Sequence, residues 1–519
     1  MFGIKIFSLL LLFSINLFIS NFLGYTIISY YYLNFFLTSN TGIYSSSFSL
    51  WKVVLVAASA LFIFVFDVVV TSMSLPSIAN DLSITLRSVA WVMIISSLTM
   101  CAFMLPLGRV ADIVGRKKIH LIGLLIFIIG CGTISFSSEL SLLLFARFLM
   151  SIGNSICSAV AFAIIISSFP DEQKGKALGI ITTTVGLAGI FGPLLSGFLI
   201  PVFEWRGMYI SMGILSIFCL FLSYLIFDKR NIDSTQSYSI YDYDWFGAIL
   251  SALFFTVLII TISNPFKIPW LSFRLLNLIL ISIGILYVFI KWELKNKNPM
   301  IDLRIFSNST FSLSTTVRFC GFIGNSAVFF LIPIFVQSFL GLSPINTGFI
   351  LFSTSAGVVL SSLFSGRYSD KYGTKKFILL GIILILLTGI FLAFINNGTN
   401  TFMLMIVLFL NGLGMGLFMA PNMRATLSLV SRDSYATFSA FLNLVRNVAT
   451  AIGQAVSTGI ITGIMLLNGT EVELSKISAI SGNSSLNDSF LFGWKVTFLV
   501  LALVTLIGLF ASTKVKSKV

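Results

Sequence analysis

Four charged side chains of this sequence stand inside apolar runs, where an ion is expensive to keep. Asp67 is the only one of the 18 acidic residues placed deep within such a run. It precedes Pro76 by nine residues, ~13 Å along a helix. A carboxylate there is costly unless it faces a cavity or a partner. Its chemistry is that of a carrier. It can hold a proton or neutralise a cation, but not both, and that exclusion is the least that exchange of one for the other requires. Permanent pairing with an arginine, or capping of a broken helix, is the purely structural reading of the same residue. Arg147, Arg318 and Arg446 are the cations available. Arg318 and Arg446 fall near the ends of their runs, where snorkelling to the interface competes with pairing. Arg147 is therefore the partner best placed to answer protonation of Asp67. Gln337, Asn325, Asn422, Asn443 and Gln454, together with Arg446, could line a cavity for a small solute, although bonds between helices serve equally well.

A second constellation is expected in two cytoplasmic loops between apolar runs. The segment LGRVADIVGRKK (107–118) is echoed 258 residues later, Gly108 to Gly366, by SGRYSDKYGTKK (365–376). Gly108 lets helices approach closely. Asp112 can accept from Arg109, from Arg116 or from a helix N-terminus. Gly115, Arg116 and Lys117 complete the first copy; Gly366, Arg367 and Asp370 mark the second. Such a charge cluster can lock one conformation and must break for another, or the charges serve topology alone. A third pattern, GLAGIFGPLLSG (186–197), sets Gly189, Gly192, Pro193 and Gly197 along one run. Its glycines leave a groove for a neighbouring helix, and the proline kinks the run and frees a carbonyl.

The elements that must carry these residues follow from composition. Hydrophobic residues make up 57% and charged residues 10% of the 519, far from the quarter charged in soluble domains. The surplus must face lipid. At about 20 residues per crossing, fourteen spans follow Leu50: 53–75, 88–107, 119–137, 141–167, 177–199, 207–227, 245–263, 271–291, 310–335, 346–366, 377–395, 401–421, 436–466 and 494–511. The net charge of +14 forms no single face for nucleic acid. Lys and Arg instead crowd the links after even-numbered spans, while Arg87, Arg206, Lys267, Arg274, Lys476 and Lys495 stand opposite. By the positive-inside rule the C-terminus is cytoplasmic, and the expected site is the plasma membrane. The expected fold is all-α, with two six-helix bundles at 51–227 and 309–519 and two extra central helices with linkers at 228–308. The 258-residue offset is the trace of parallel halves. Residues 1–50 are an apolar extension, either a fifteenth span or a segment absent from the mature protein. Topology is set after Trp51, so they should be dispensable.

With these motifs in place, the chain from Trp51 onward resembles the EmrB/QacA-type drug:proton antiporters, the fourteen-span branch of the major facilitator superfamily. The 107–118 segment matches the signature between the second and third spans of that superfamily. The 186–197 run resembles its antiporter motif, with Ser196 in place of a glycine. FDVVVTSMSLPSI (66–78) resembles the signature of the branch in Asp67, Leu75, Pro76 and Ile78. ARFLMSIG (146–153) keeps Arg147 and Gly153 of the fourth-span motif, with Met150 and Ser151 in place of its Gln-Gly. WRGMY (205–209), DWFGA (244–248), GLGMGLFMAPN (412–422) and LVRNVATAIG (444–453) extend the match. The resemblance implies a major facilitator fold and proton-coupled export of amphipathic, often cationic, compounds by a monomer, without cofactor or metal.

Uptake of a specific solute on the same fold is the alternative, though a specific importer would be expected to hold more deep charges. An enzyme or sensor is disfavoured: His120 is the only histidine, no P-loop pattern occurs and no soluble output domain is present. The five cysteines fall in apolar runs without metal spacing.

Overall fold

The computed structural model describes residues 44–168, 171–227, 244–264, 268, 272–296, 299, 303–396, 398–430, 435–468 and 484–515. Thirteen principal helices run through them: α1 (Tyr44–Asp81), α2 (Leu86–Val114), α3 (Arg116–Ser135), α4 (Leu140–Ser168), α5 (Asp171–Ile226), α6 (Trp245–Ser263), α7 (Phe273–Lys295), α8 (Ser309–Ile334), α9 (Pro344–Tyr372), α10 (Thr374–Ala393), α11 (Thr401–Leu427), α12 (Tyr435–Leu467) and α13 (Ser484–Lys514). The chain divides into compact units at Met1–Lys52 and Val53–Val519, and the architecture below is that of the second. The possible fifteenth span lies outside the described residues. Helix α1 begins at Tyr44, seven residues ahead of Trp51.

Small polar residues set where the helices start. Thr85, Asp244, Ser272, Asn308, Ser343 and Asn400 each accept a first-turn amide from their own helix, which satisfies one of the donors a helix start leaves open. Among the described residues, thirteen helices are long and apolar enough to cross a membrane. The 56-residue α5 is too long for one crossing. It extends ~84 Å at 1.5 Å per residue, against ~30 Å of hydrocarbon. Its chain breaks at Glu204 (φ 57°, ψ 176°), inside the gap left between the fifth and sixth expected spans, which divides α5 into two limbs. Arg206 pins that break, with Nη1 2.7 Å from Asp81 Oδ2 and Nη2 donating to Ser137 O at 2.9 Å.

The sequence repeat has a structural counterpart, and it corrects one expectation. The segments at 107–118 and 365–376 are not loops. α2 and α9 run through them to Val114 and Tyr372, and a single glycine turns the chain each time: Gly115 (φ 112°, ψ 127°) and Gly373 (φ 84°, ψ 143°). Both sit where side chains are disfavoured. Two residues beyond each joint, a lysine reaches the last helix of its own half. Lys117 Nζ donates to Tyr224 O at 3.0 Å, and Lys375 Nζ to Thr513 O at 2.6 Å. These bonds meet carbonyls that a helix end leaves open.

The two halves meet along two seams. α2 packs against α12 and α5 against α9. The extra helix α6 packs on both α2 and α12 and so lies along the first seam, with α7 against it. Leu276, Leu280, Ile283 and Tyr287 of α7 are exposed, the pattern of a helix facing lipid.

Candidate functional site

Asp67 and Arg147 meet inside the first half. Arg147 Nη1 donates to Asp67 Oδ1 at 2.7 Å, and the two residues are 1% and 3% exposed. Neither is left to the pair alone. Thr71, one turn beyond Asp67, donates to Asp67 Oδ1 at 3.4 Å and shares a 2.9 Å hydrogen bond with Tyr209 OH. Arg147 Nε and Nη2 both donate to Ser96 Oγ, at 3.1 and 2.8 Å. The Arg147 guanidinium carbon lies 5.9 Å from the centroid of the Tyr209 ring. One polar cluster thus ties α1, α2, α4 and the second limb of α5 together. Met150, which stands where the resembling motif has a polar residue, offers only a 3.8 Å N–H···S contact to Arg147.

The 186–197 glycines connect this cluster to the seam. A Cβ at Gly192 would stand 3.2 Å from Val69, two residues beyond Asp67. One at Gly197 would stand 2.8 Å from Pro344 O, and one at Gly348 would stand 2.6 Å from Pro193 O. α5 therefore touches α1 beside the ion pair on one face and α9 of the other half on another. Gly189 needs no such clearance, since a Cβ there meets nothing within 4 Å. Its carbonyl accepts from Ser355 Oγ instead.

The polar residues assigned to a cavity mostly bond between helices. Gln337, in a π-helical turn (Phe335–Phe339) that follows Pro333, donates to Met73 O at 3.1 Å. Ser72 donates to Phe329 O beside it. Gln454 accepts from Ser97 at 3.3 Å, Asn447 reaches Met104 Sδ at 3.6 Å, and Arg87 donates to Thr462 Oγ1, so polar contacts run along the α2–α12 seam. Asn422 donates to Ser314 O at 3.0 Å. Asn325 Oδ1 is buried without a hydrogen-bond partner. Arg446 is half-buried, but Arg318 does not snorkel: it is 2% exposed and donates to Leu442 O at 2.9 Å. Gly108 packs as expected, with Ala159 3.2 Å from where its Cβ would be. Arg109, Asp112, Gly366, Arg367 and Asp370 fall in α2 and α9, and the side chains there lie outside the described residues.

Asp67 is not the only buried acid. Asp244 and Glu293 are also buried, at the ends of α6 and α7, where Asp244 Oδ1 takes hydrogen bonds from Gly247 N (2.8 Å) and Trp292 Nε1 (2.7 Å). Both stand at the ends of apolar runs beside charged residues. The packing of α7 on α6 brings both carboxylates to Gly247.

The comparisons with known proteins agree with this architecture. The model of the Major Facilitator Superfamily matches residues 55–454 and, again, 314–517. The chain is 27% identical over 405 residues to a riboflavin transporter of Clostridioides difficile, covering 78% of this chain and 87% of that one. It is 24% identical over 397 residues to the multidrug resistance protein Stp of Mycobacterium tuberculosis, covering 76% and 73%. Among solved structures, a bacterial homologue of the lysosomal transporter Spinster, inward-facing and unoccupied, aligns with a TM-score of 0.62 at 16% identity over 91% of this chain and 98% of that one. A peptide transporter of the POT family aligns at 0.65, also at 16% identity, over 90% and 96%. A family match across most of the chain, on a helical fold whose second half repeats its first, leaves one assignment: this protein belongs to the Major Facilitator Superfamily.

Proposed function

We propose that the chain is a monomeric plasma-membrane antiporter of the fourteen-span drug:proton branch, exporting small amphipathic compounds against protons by alternating access with its C-terminus in the cytoplasm. The observation that carries this reading is the buried Asp67–Arg147 pair with its hydroxyl link to α5. A proton arriving at Asp67 Oδ1 removes the charge that holds Arg147 Nη1. Arg147 keeps Ser96, while the Thr71–Tyr209 link is free to reset. Tyr209 belongs to the same α5 whose first limb meets α9 through Gly197 and Gly348. A protonation event inside the first half is thereby connected to the seam that alternating access must open and close. Multidrug proteins among the relatives support export. Uptake of a defined solute is the second reading, favoured by the riboflavin transporter among the relatives.

Direction decides between them. Everted vesicles given a pH gradient, acid inside, should accumulate fluorescent amphiphiles under the export reading. Accumulation of riboflavin or another single solute in right-side-out vesicles, with no dye movement in everted ones, would favour uptake.

A further inference from the structure

The first half balances its deep charge, whereas the second half does not. α8 carries Ser314, Thr315 and Arg318 within about one turn, all buried. Ser314 Oγ, Thr315 Oγ1 and Arg318 Nη1 have no hydrogen-bond partner. The Nε of Arg318 is used on Leu442 O, and its guanidinium carbon sits 5.1 Å from the centroid of the Phe322 ring. Arg446 follows Leu442 by four residues on α12 and so projects from the face that meets α8. The Arg318–Leu442 hydrogen bond at 2.9 Å holds that stretch of α12 against the Arg318 side chain. Among the described residues neither guanidinium pairs with a carboxylate.

Two like charges on facing helices, one of them fully buried and neither paired with a carboxylate, are unfavourable as they stand. The way out to the interface is also covered. Phe306, Phe311, Phe438 and Phe441 pack edge to face, with centroids 5.3–5.8 Å apart, toward the helix ends beyond the two arginines. What the cluster lacks is an acceptor carrying negative charge. Two unpartnered hydroxyls within about one turn of Arg318, with Arg446 on the facing helix, supply the donor types that a carboxylate, sulfonate or phosphate uses.

We propose that Arg318, Arg446, Ser314 and Thr315 form an anion site in the second half, which takes the acidic group of an amphipathic compound. Asp67, already neutralised by Arg147 at 2.7 Å, is not free to receive a cation in this state. The inference deepens the antiporter reading by naming a substrate class, and it rests on that reading only for the transport arm of its test.

The site itself is tested on the purified full-length protein by thermal unfolding with hexanesulfonate and with hexyltrimethylammonium. Hexanesulfonate should stabilise the wild type and the ammonium should not. Arg446→Gln should lose the stabilisation and Arg446→Lys should keep most of it. Arg318→Gln should lose it while unfolding no more easily without ligand, since it removes an unpaired buried charge. Stabilisation by the ammonium alone, or a hexanesulfonate response that survives both glutamine variants, overturns the proposal.

In everted vesicles under a pH gradient, fluorescein should be carried, and Arg446→Gln should slow it by about tenfold, the equivalent of one charge-assisted hydrogen bond. If neither fluorescein nor the cationic dye rhodamine 6G moves, while hexanesulfonate still stabilises through the arginines, the antiporter reading fails and the site stands. If rhodamine 6G moves and hexanesulfonate has no effect, the antiporter stands and the site falls. Protein in phosphatidylcholine vesicles with and without phosphatidylglycerol forms the lipid arm. Arginine-dependent stabilisation by phosphatidylglycerol alone assigns the anion to a lipid headgroup and overturns the substrate role.

Discussion

Replacing Asp67 with asparagine removes one charge from the protein interior and almost nothing else. The side chain keeps its size and an oxygen for Arg147 Nη1, now 2.7 Å away. Removing one partner of a buried pair costs about 3–5 kcal/mol, because the other charge is left uncompensated. The structure places this case at the low end. Ser96 Oγ still holds Arg147 Nε and Nη2 at 3.1 and 2.8 Å, and the asparagine oxygen still accepts a charge-assisted hydrogen bond. A loss of about 3 kcal/mol is expected, with about 2 kcal/mol of it recovered as coupling when Arg147→Gln is added to Asp67→Asn. Unfolding in mixed micelles by detergent titration, run as a double-mutant cycle, reads both numbers. The double variant also separates roles: it should be stable enough to purify yet unable to use a pH gradient. A single Asp67→Asn protein within about 0.5 kcal/mol of wild type, the usual range for a change that breaks no such interaction, would refute the claim that the pair is closed in the folded protein. A double variant that pumps normally would leave the pair purely structural.

Two further outcomes follow from the joints and the seam. Gly115→Ala and Gly373→Ala should each cost about 1–3 kcal/mol, and by similar amounts, because both φ angles are positive; thermal unfolding of the two variants checks this, and a large inequality would argue against equivalent halves. Gly197→Leu should force α5 from α9, since even a Cβ there comes within 2.8 Å of Pro344 O. A cysteine introduced at Ile345 should then react faster with an impermeant maleimide, over a low background because all five native cysteines are buried.

The helical fold was readable because lipid enforces a simple rule: every crossing must be apolar over about 20 residues and satisfy its own backbone. The gap between the fifth and sixth expected spans is occupied by a break at Glu204, and the 258-residue repeat reappears as matched glycine joints and matched lysine caps. Charge density misled the reading at 107–118 and 365–376. Polar residues suggested loops, but one glycine suffices to reverse a helix, and the charges continue the helix beforehand. Asp67 and Arg147 could be singled out because ions are scarce in apolar runs, and their 80-residue separation is closed by packing of α1 and α4 around Ser96 and Thr71. The bonding of Gln337, Asn422 and Gln454 between helices was not readable. An amide in a membrane helix has the same sequence signature whether it faces a cavity or a neighbour. Nor could the unpaired state of Arg318 be seen in advance, since it depends on which residues of α12 lie opposite and on the phenylalanines that cover its exit.

The most direct test of the central claim, that Asp67 couples protons to transport, is proton flux itself. Wild-type protein in vesicles loaded with pyranine is given fluorescein on one side, with the membrane potential clamped and sodium absent. The expected result is a lumenal pH change opposite in direction to dye movement, lost in Asp67→Asn while dye binding survives. Dye movement without any pH change, or an unchanged proton flux in a stable Asp67→Asn protein, would contradict the account.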